Sequence, residues 1–156
     1  MPKRAPPSAA APETPALYFR LLNEIGIIAQ LSANRFERVL PHGLTVAQFG
    51  LLNHCVRLGD GWTPARLAAA FQVTRGTMTS TLQKLEAKGF VRIEQDTQDA
   101  RSKRVFLTAA GRAAREASLS ALGPDLARIA RALSPADAAA LLPALETLRI
   151  WLDTNR

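Results

Sequence analysis

Apolar positions recur at helical spacing over most of this chain, give way once to two short alternating runs, and then return to helical spacing. Leu21, Ile25, Ala29, Phe36 and Val39 line one side of a long first helix, from about Ala16 to Leu40, which Pro41 and Gly43 end. Ile27 and Leu31 fall on its opposite side. A helix that is apolar on two sides is expected to be buried on two sides. A small domain has one core to offer, so the second face implies another subunit. Thr45 with Gln48 three residues later forms a capping-box pattern for a second helix, to about Leu58. Thr63-Pro64 opens a third, because proline at the first helical position gives up no needed N–H. Thr74 caps a fourth, in which Met78, Leu82 and Leu85 face the core. Gly89 suits a left-handed helix end. Phe90 to Glu94 then reads as a strand with Val91 and Ile93 on one face, answered by Val105 and Leu107, and Trp62 is placed to add a minimal third strand. After Thr108 a helix runs towards Leu133 with a kink at Gly123-Pro124. Ser134-Pro135 starts the last helix, with Ala138, Leu141, Leu145, Leu148 and Leu152 as its apolar stripe, Pro143 bending its axis, and Ile150 and Trp151 off the stripe.

The stretch from Gln72 to Leu107 carries the chemistry. A turn of about 100° per residue puts Gly76, Thr77, Ser80, Gln83 and Ala87 on the side of the fourth helix away from its core stripe, with Thr79 and Lys84 on the flanks. Small hydroxyls, a glycine and an amide let a backbone approach a base edge and offer donors and acceptors to read it. The tip that follows, Gln95 to Ser102, holds no hydrophobic residue except Ala100 and is expected to have nothing to bury. Arg101, Lys103 and Arg104 crowd its returning side, where cations suit phosphates and a narrow minor groove. A charged hairpin can also be a solubility device. Its place directly after a helix of this kind favours a winged helix-turn-helix. The candidate DNA contacts are Arg75, Gly76, Thr77, Thr79, Ser80, Gln83 and Lys84 on the helix, and Arg101, Ser102, Lys103 and Arg104 on the wing. Among them Thr77, Ser80 and Gln83 are expected on bases, and Arg75 and Lys84 on phosphates.

Composition narrows the partner. A chain of 156 residues with 47% hydrophobic content can bury a sizeable core, and its net charge of +7 asks for an anionic partner. The cations cluster in the reading unit (Arg66, Arg75, Lys84, Lys88, Arg92, Arg101, Lys103, Arg104, Arg112) rather than along one amphipathic helix, which favours nucleic acid over a membrane surface. No apolar run approaches the ~18 to 20 residues that span a bilayer, and Met1 to Thr14 lacks the apolar centre of a secretory signal, so a cytoplasmic protein is expected. The Pro/Ala-rich segment 1–15 is expected to be a disordered tail, with Lys3 and Arg4 inert. The single cysteine, Cys55, excludes an internal disulfide and a cysteine-cluster metal site, and it shares the apolar side of its helix with Leu51 and Leu52. An enzyme is not expected. The two histidines, His42 and His54, have no evident carboxylate or metal partner, no glycine-rich phosphate loop is present, and neither a cofactor nor a metal is called for.

From Leu17 to Leu152 the chain resembles the MarR (multiple antibiotic resistance regulator) family of winged helix-turn-helix transcription regulators. The resemblance is carried by LTVAQFGLLNH at 44–54, TPARLAAAFQVTRGTMTSTLQKLEAKGFVRIE at 63–94 and DTQDARSKRVFLTAAGR at 96–112. Asp99-Ala100-Arg101 matches the Asp-x-Arg pattern of the family's wing, which implies an arginine in the minor groove and an aspartate that orients it. Ser80 stands where many relatives have arginine and Gly76 where they often have serine, so an operator sequence does not transfer. The resemblance implies a mainly α fold with a small antiparallel β-wing. One domain would span 16–156, its winged helix-turn-helix at about 44–108 and its dimerisation layer formed by interlocking helices at about 16–40 and 109–153. It also implies a homodimeric repressor on a pseudo-palindromic operator, released by a small lipophilic phenolic or carboxylate effector. The slot expected for that effector is walled by Arg35, Phe36, Leu40, Phe49 and Asn53. An effector-independent winged-helix module that binds DNA or docks on a protein remains the alternative.

Overall fold

The computed structural model describes residues 14–99 and 101–155. The segment expected to be a disordered tail, with Lys3 and Arg4, lies outside the described residues up to residue 13, as does Ala100. Two compact units make up the chain, one up to Arg38 and one from Val39 onward.

The first unit is helix α1, Thr14–Glu37. It begins two residues before the expected start, on a threonine-proline pair like the one at Thr63-Pro64. It ends three residues short of Leu40, because a residue before proline is pushed out of the helical region and Leu40 is extended (φ −62, ψ 126). Arg38 N–H closes the last turn on the Arg35 carbonyl. None of its residues is buried.

In the second unit, a 3-10 turn at Pro41–Gly43 leads to α2 (Val46–Leu58), α3 (Pro64–Ala70) and α4 (Arg75–Ala87). Each start obeys its cap: Thr45 and Gln48 form the reciprocal capping box, Thr63 accepts from Arg66 N–H, and Thr74 accepts from Thr77 N–H. The turn between α3 and α4 passes through Gln72 in the left-handed region (φ 52), and α4 closes on Gly89 (φ 72), which lets Phe90 N–H reach back 2.9 Å to the Leu85 carbonyl. Strands β1 (Val91–Gln95) and β2 (Lys103–Leu107) pair antiparallel with Val91 opposite Leu107 and Ile93 opposite Val105. Trp62 adds the expected third bridge, to Val105.

The core of this unit is built from Leu51, Leu52 and Cys55 of α2, Leu67 of α3, Met78, Leu82 and Leu85 of α4, Val91, Val105 and Leu107 of the hairpin, and Ala114 and Leu122 of α5 (Ala109–Ala132). Helix α5 starts at Thr108, whose hydroxyl caps Gly111 N–H and whose backbone N–H bonds the Phe90 carbonyl. Its helical span includes Pro124. Likewise α6 (Pro135–Thr154) continues through Pro143. Helix α6 contributes no buried residue, and Leu141, Leu142, Leu145, Ile150, Trp151 and Leu152 are exposed along it.

Cys55 lies in this core, and burial, with Asp60 adding, pushes its thiol up to about 11 from an ordinary 9.0. A folded-state value above the unfolded one means that the buried thiol stabilises the fold below about pH 9 and that this contribution is lost as pH rises through about 11. Cys55 should resist thiol reagents at pH 8 until the protein is unfolded. Rapid labelling of the native protein would contradict its burial.

Candidate nucleic-acid interface

The exposed side of α4 carries the residues expected there. Arg75, Gly76, Thr77, Thr79, Ser80, Gln83 and Lys84 are all exposed, while Met78, Leu82 and Leu85 turn inward. The threonines are constrained by the helix itself. Thr74 Oγ1 accepts from Thr77 N–H at 3.1 Å and lies 2.9 Å from Thr77 Oγ1, and Thr79 Oγ1 donates to the Arg75 carbonyl at 2.8 Å. Thr79 and Gln83 border one open cleft of about 330 Å3 with Lys103 of the wing, so the reading side of α4 and the start of β2 share a surface.

The wing is more structured than its composition indicates. Asp99 accepts the Arg101 backbone N–H on Oδ1 (2.9 Å) and the Ser102 N–H on its carbonyl (2.8 Å). The aspartate of the Asp-x-Arg pattern therefore sets the arginine's backbone in a tight turn and leaves its exposed guanidinium to project. Contrary to the expectation of a tip with nothing to bury, Asp96 is buried. Its carboxylate accepts from Gln98 N–H at 3.0 Å and from Arg104 Nε at 2.7 Å, and these partners hold it below its ordinary value against the opposing effect of burial. Arg104 also donates from Nη1 to the Gly61 carbonyl at 2.9 Å. Arg104, one of the candidate DNA contacts, thus also braces the wing, with 41% of its side chain still exposed.

Other cations sort in the same way. Arg92 pairs with Glu94 at 2.5 Å and lies over Phe106, Arg66 lies over Trp62, Lys88 Nζ donates to the His42 carbonyl, and Arg112 pairs with Asp60 at 2.6 Å. Among the described residues, Arg75, Lys84, Arg101 and Lys103 have no acidic partner. These four exposed cations lie together on α4 and the wing, and the free N–H groups at the start of α4 add to their positive charge.

The residues expected to wall an effector slot are placed as follows. Arg35 and Phe36 occupy the last turn of α1 in the first unit; in the second, Leu40 is buried, and Phe49 and Asn53 are half-buried on α2. Asn53 Oδ1 accepts from both Nε and Nη2 of Arg115 on α5. Sequence reasoning missed Arg115, Asp96 and Asp60, each of which acts through a partner distant along the chain or folded back on a turn. His54 sits against Trp62 and Phe71, with ring centroids 4.8 and 5.2 Å away. Its Nε2 has no hydrogen-bond partner among the described residues, and burial, with Arg57 adding, pushes its imidazole below the ordinary value.

Gly76 has open space where a Cβ would stand, the nearest atom being Thr74 Oγ1 at 3.9 Å. Packing therefore does not require glycine, which is a poor helix former. Gly76→Ala should stabilise the fold by about 0.5 to 1 kcal/mol in urea unfolding while weakening DNA binding. A variant both more stable and equally tight on DNA would remove Gly76 from the interface.

Residues 42–102 match the model of the MarR family. No curated protein matches the chain. Among solved structures, the transcriptional regulator BldR from Sulfolobus solfataricus is 25% identical over 87% of this chain and 96% of its own, with a TM-score of 0.77. A cysteine-to-serine mutant of MarR from E. coli, complexed with operator DNA, is 26% identical over 87% and 98%, with a TM-score of 0.73. Wild-type E. coli MarR in its apo form is 28% identical over 82% and 95%, with a TM-score of 0.71.

Proposed function

With membership of the MarR family as the premise, carried by the winged unit and by a fold shared with its transcription regulators, we propose that this DNA-binding regulator is a homodimeric repressor. It acts on a pseudo-palindromic operator and is released by a small-molecule effector. The observation that carries the DNA part is the set of unpaired cations, Arg75, Lys84, Arg101 and Lys103, around an exposed face of hydroxyls, amide and glycine. In this reading Thr77, Ser80 and Gln83 meet base edges in the major groove. Arg75, Lys84, Ser102 and Lys103 meet phosphates, and Arg101 enters the minor groove from the turn that Asp99 sets.

The dimer is supported by the exposed apolar faces. Leu17, Tyr18, Phe19, Leu22, Ile28 and Leu31 are exposed on α1, and a comparable set is exposed on α6. A single reading helix covers too few base pairs to select one site in a genome, whereas a two-fold pair reaches successive major grooves about 34 Å apart. The effector part comes from the family resemblance. A calorimetric screen of phenols and aromatic carboxylates tests it: if none binds or shifts DNA affinity, the regulator is effector-independent.

The interface is tested by selecting an operator from random duplexes and measuring variants on selected and random DNA. Gln83→Ala should cost about 1 to 3 kcal/mol on the selected site and little on random DNA, whereas Lys84→Ala should weaken both alike and reduce the salt slope by about one. Arg101→Ala should lose affinity on both with an unchanged melting temperature, since it is exposed at a loop tip. Parental affinity in Arg101→Ala at the same salt would sink the wing assignment.

A further inference from the structure

The edge of β2 that faces away from β1 is closed by the loop between α2 and α3. Val105 N–H bonds the Trp62 carbonyl and Gly61 N–H the Val105 carbonyl, both at 2.9 Å. Asp60 completes this edge and reaches beyond it: Oδ1 accepts from Leu107 N–H at 3.2 Å, and Oδ2 accepts from Arg112 Nη2 on α5 at 2.6 Å. One residue further along, the Gly61 carbonyl receives Arg104, whose other arm holds Asp96, and Asp96 N–H bonds the Ser102 carbonyl at the tip. A continuous line of hydrogen bonds therefore runs from the first turns of α5, through the loop at Asp60, to the turn that presents Arg101.

We propose that Asp60 and Arg112 are positioning residues for the DNA-binding wing, fixing the angle at which the hairpin leaves the start of α5. The inference rests on the DNA-binding reading above. Stability is not the main effect of the pair, because Arg112 is half exposed and such pairs contribute about 0 to 1 kcal/mol. Geometry makes it matter. A five-residue strand is a lever of roughly 16 Å, so a tilt of about 10° at its base moves the tip by about 3 Å, the length of a hydrogen bond.

Two measurements on the full chain test this. In the free protein, amide exchange at Asp96 and Ser102 should quicken about threefold or more in Arg112→Gln and Asp60→Asn, with melting close to the parent's, and Arg112→Lys should restore the parental rates. Asp60→Asn keeps an oxygen for Leu107 N–H while removing the charge. On a mixed-sequence duplex of about 30 base pairs, Arg112→Gln should lose about threefold or more in affinity, and that loss should vanish once Arg101 is alanine, because the pair acts through the wing. Unchanged exchange at both amides overturns the proposal whatever the DNA result, and so does a loss that adds in full to that of Arg101→Ala. A parent that fails to bind the duplex, or an Arg101→Ala variant that binds it as tightly, instead refutes the DNA-binding reading, and exchange still decides whether the pair holds the wing.

Discussion

Replacing Gly111 by alanine should destabilise the winged unit by about 3 kcal/mol or more, at the upper end of what one added methyl group costs. A Cβ on Gly111 would stand 2.1 Å from the Phe90 carbonyl oxygen and 2.9 Å from its carbon, and both are backbone atoms that no side-chain rotation can move aside. Helix α5 would have to lift from the start of β1. Two bonds would be strained or lost with it, Thr108 N–H to the Phe90 carbonyl at 3.1 Å and Thr108 Oγ1 to the Gly89 carbonyl at 2.7 Å. Gly123, in the same helix, has nothing within 4 Å of its Cβ position, so Gly123→Ala should instead gain about 0.5 to 1 kcal/mol. Urea unfolding of the two variants checks both signs at once. Equal stabilities would mean that the close approach of α5 to Phe90 is absent in solution.

Charging the stripe of α6 should have the second large effect. Leu145→Asp with Leu148→Asp should convert a dimer into a monomer and lower operator affinity by about a hundredfold or more, because the second half-site is then bound independently. No residue of α6 is buried within the chain, so the substitutions disturb little of the subunit's own packing and the variant should keep its helical circular dichroism. Against a partner's apolar surface the same carboxylates would lie unpaired and out of water, which costs several kcal/mol each. Light scattering reads the outcome. A parent that is monomeric at micromolar concentration, with full affinity for one half-site, would refute the dimer.

Local signals are legible in the sequence because they lie within four residues of where they act. Thr45, Thr63, Thr74, Thr108 and Ser134 cap helices at the positions their spacing indicates, and alternation puts Val91, Ile93, Val105 and Leu107, which pair across the hairpin, on one face. Bonds between residues distant in the chain leave no such mark. Asp60 and Arg112 are 52 positions apart and Asn53 and Arg115 are 62 apart, so neither pair could be found from periodicity. Arg104 shows the same limit at short range. Beside Lys103 in the sequence it reads as one more phosphate contact, and only the fold shows that strand alternation sends the two side chains to opposite faces, where Arg104 also binds Asp96 and the Gly61 carbonyl. Apolar spacing continues to Val39 and so carries α1 past its actual end at Glu37, while the conformational restriction imposed by Pro41 acts on Leu40.

The hydroxyl of Thr79 has a single proton, and it is already committed to the Arg75 carbonyl. Towards a groove this side chain can present only lone pairs and its methyl group. It would be deaf to guanine O6 and thymine O4, which are acceptors, and responsive to the exocyclic amino groups of adenine and cytosine. Ser80, whose hydroxyl is not so engaged, can turn to either kind of edge. In operators selected by the protein, a base that faces Thr79 should therefore be adenine or cytosine rather than guanine or thymine, and the base that faces Ser80 should be the more permissive letter of the site.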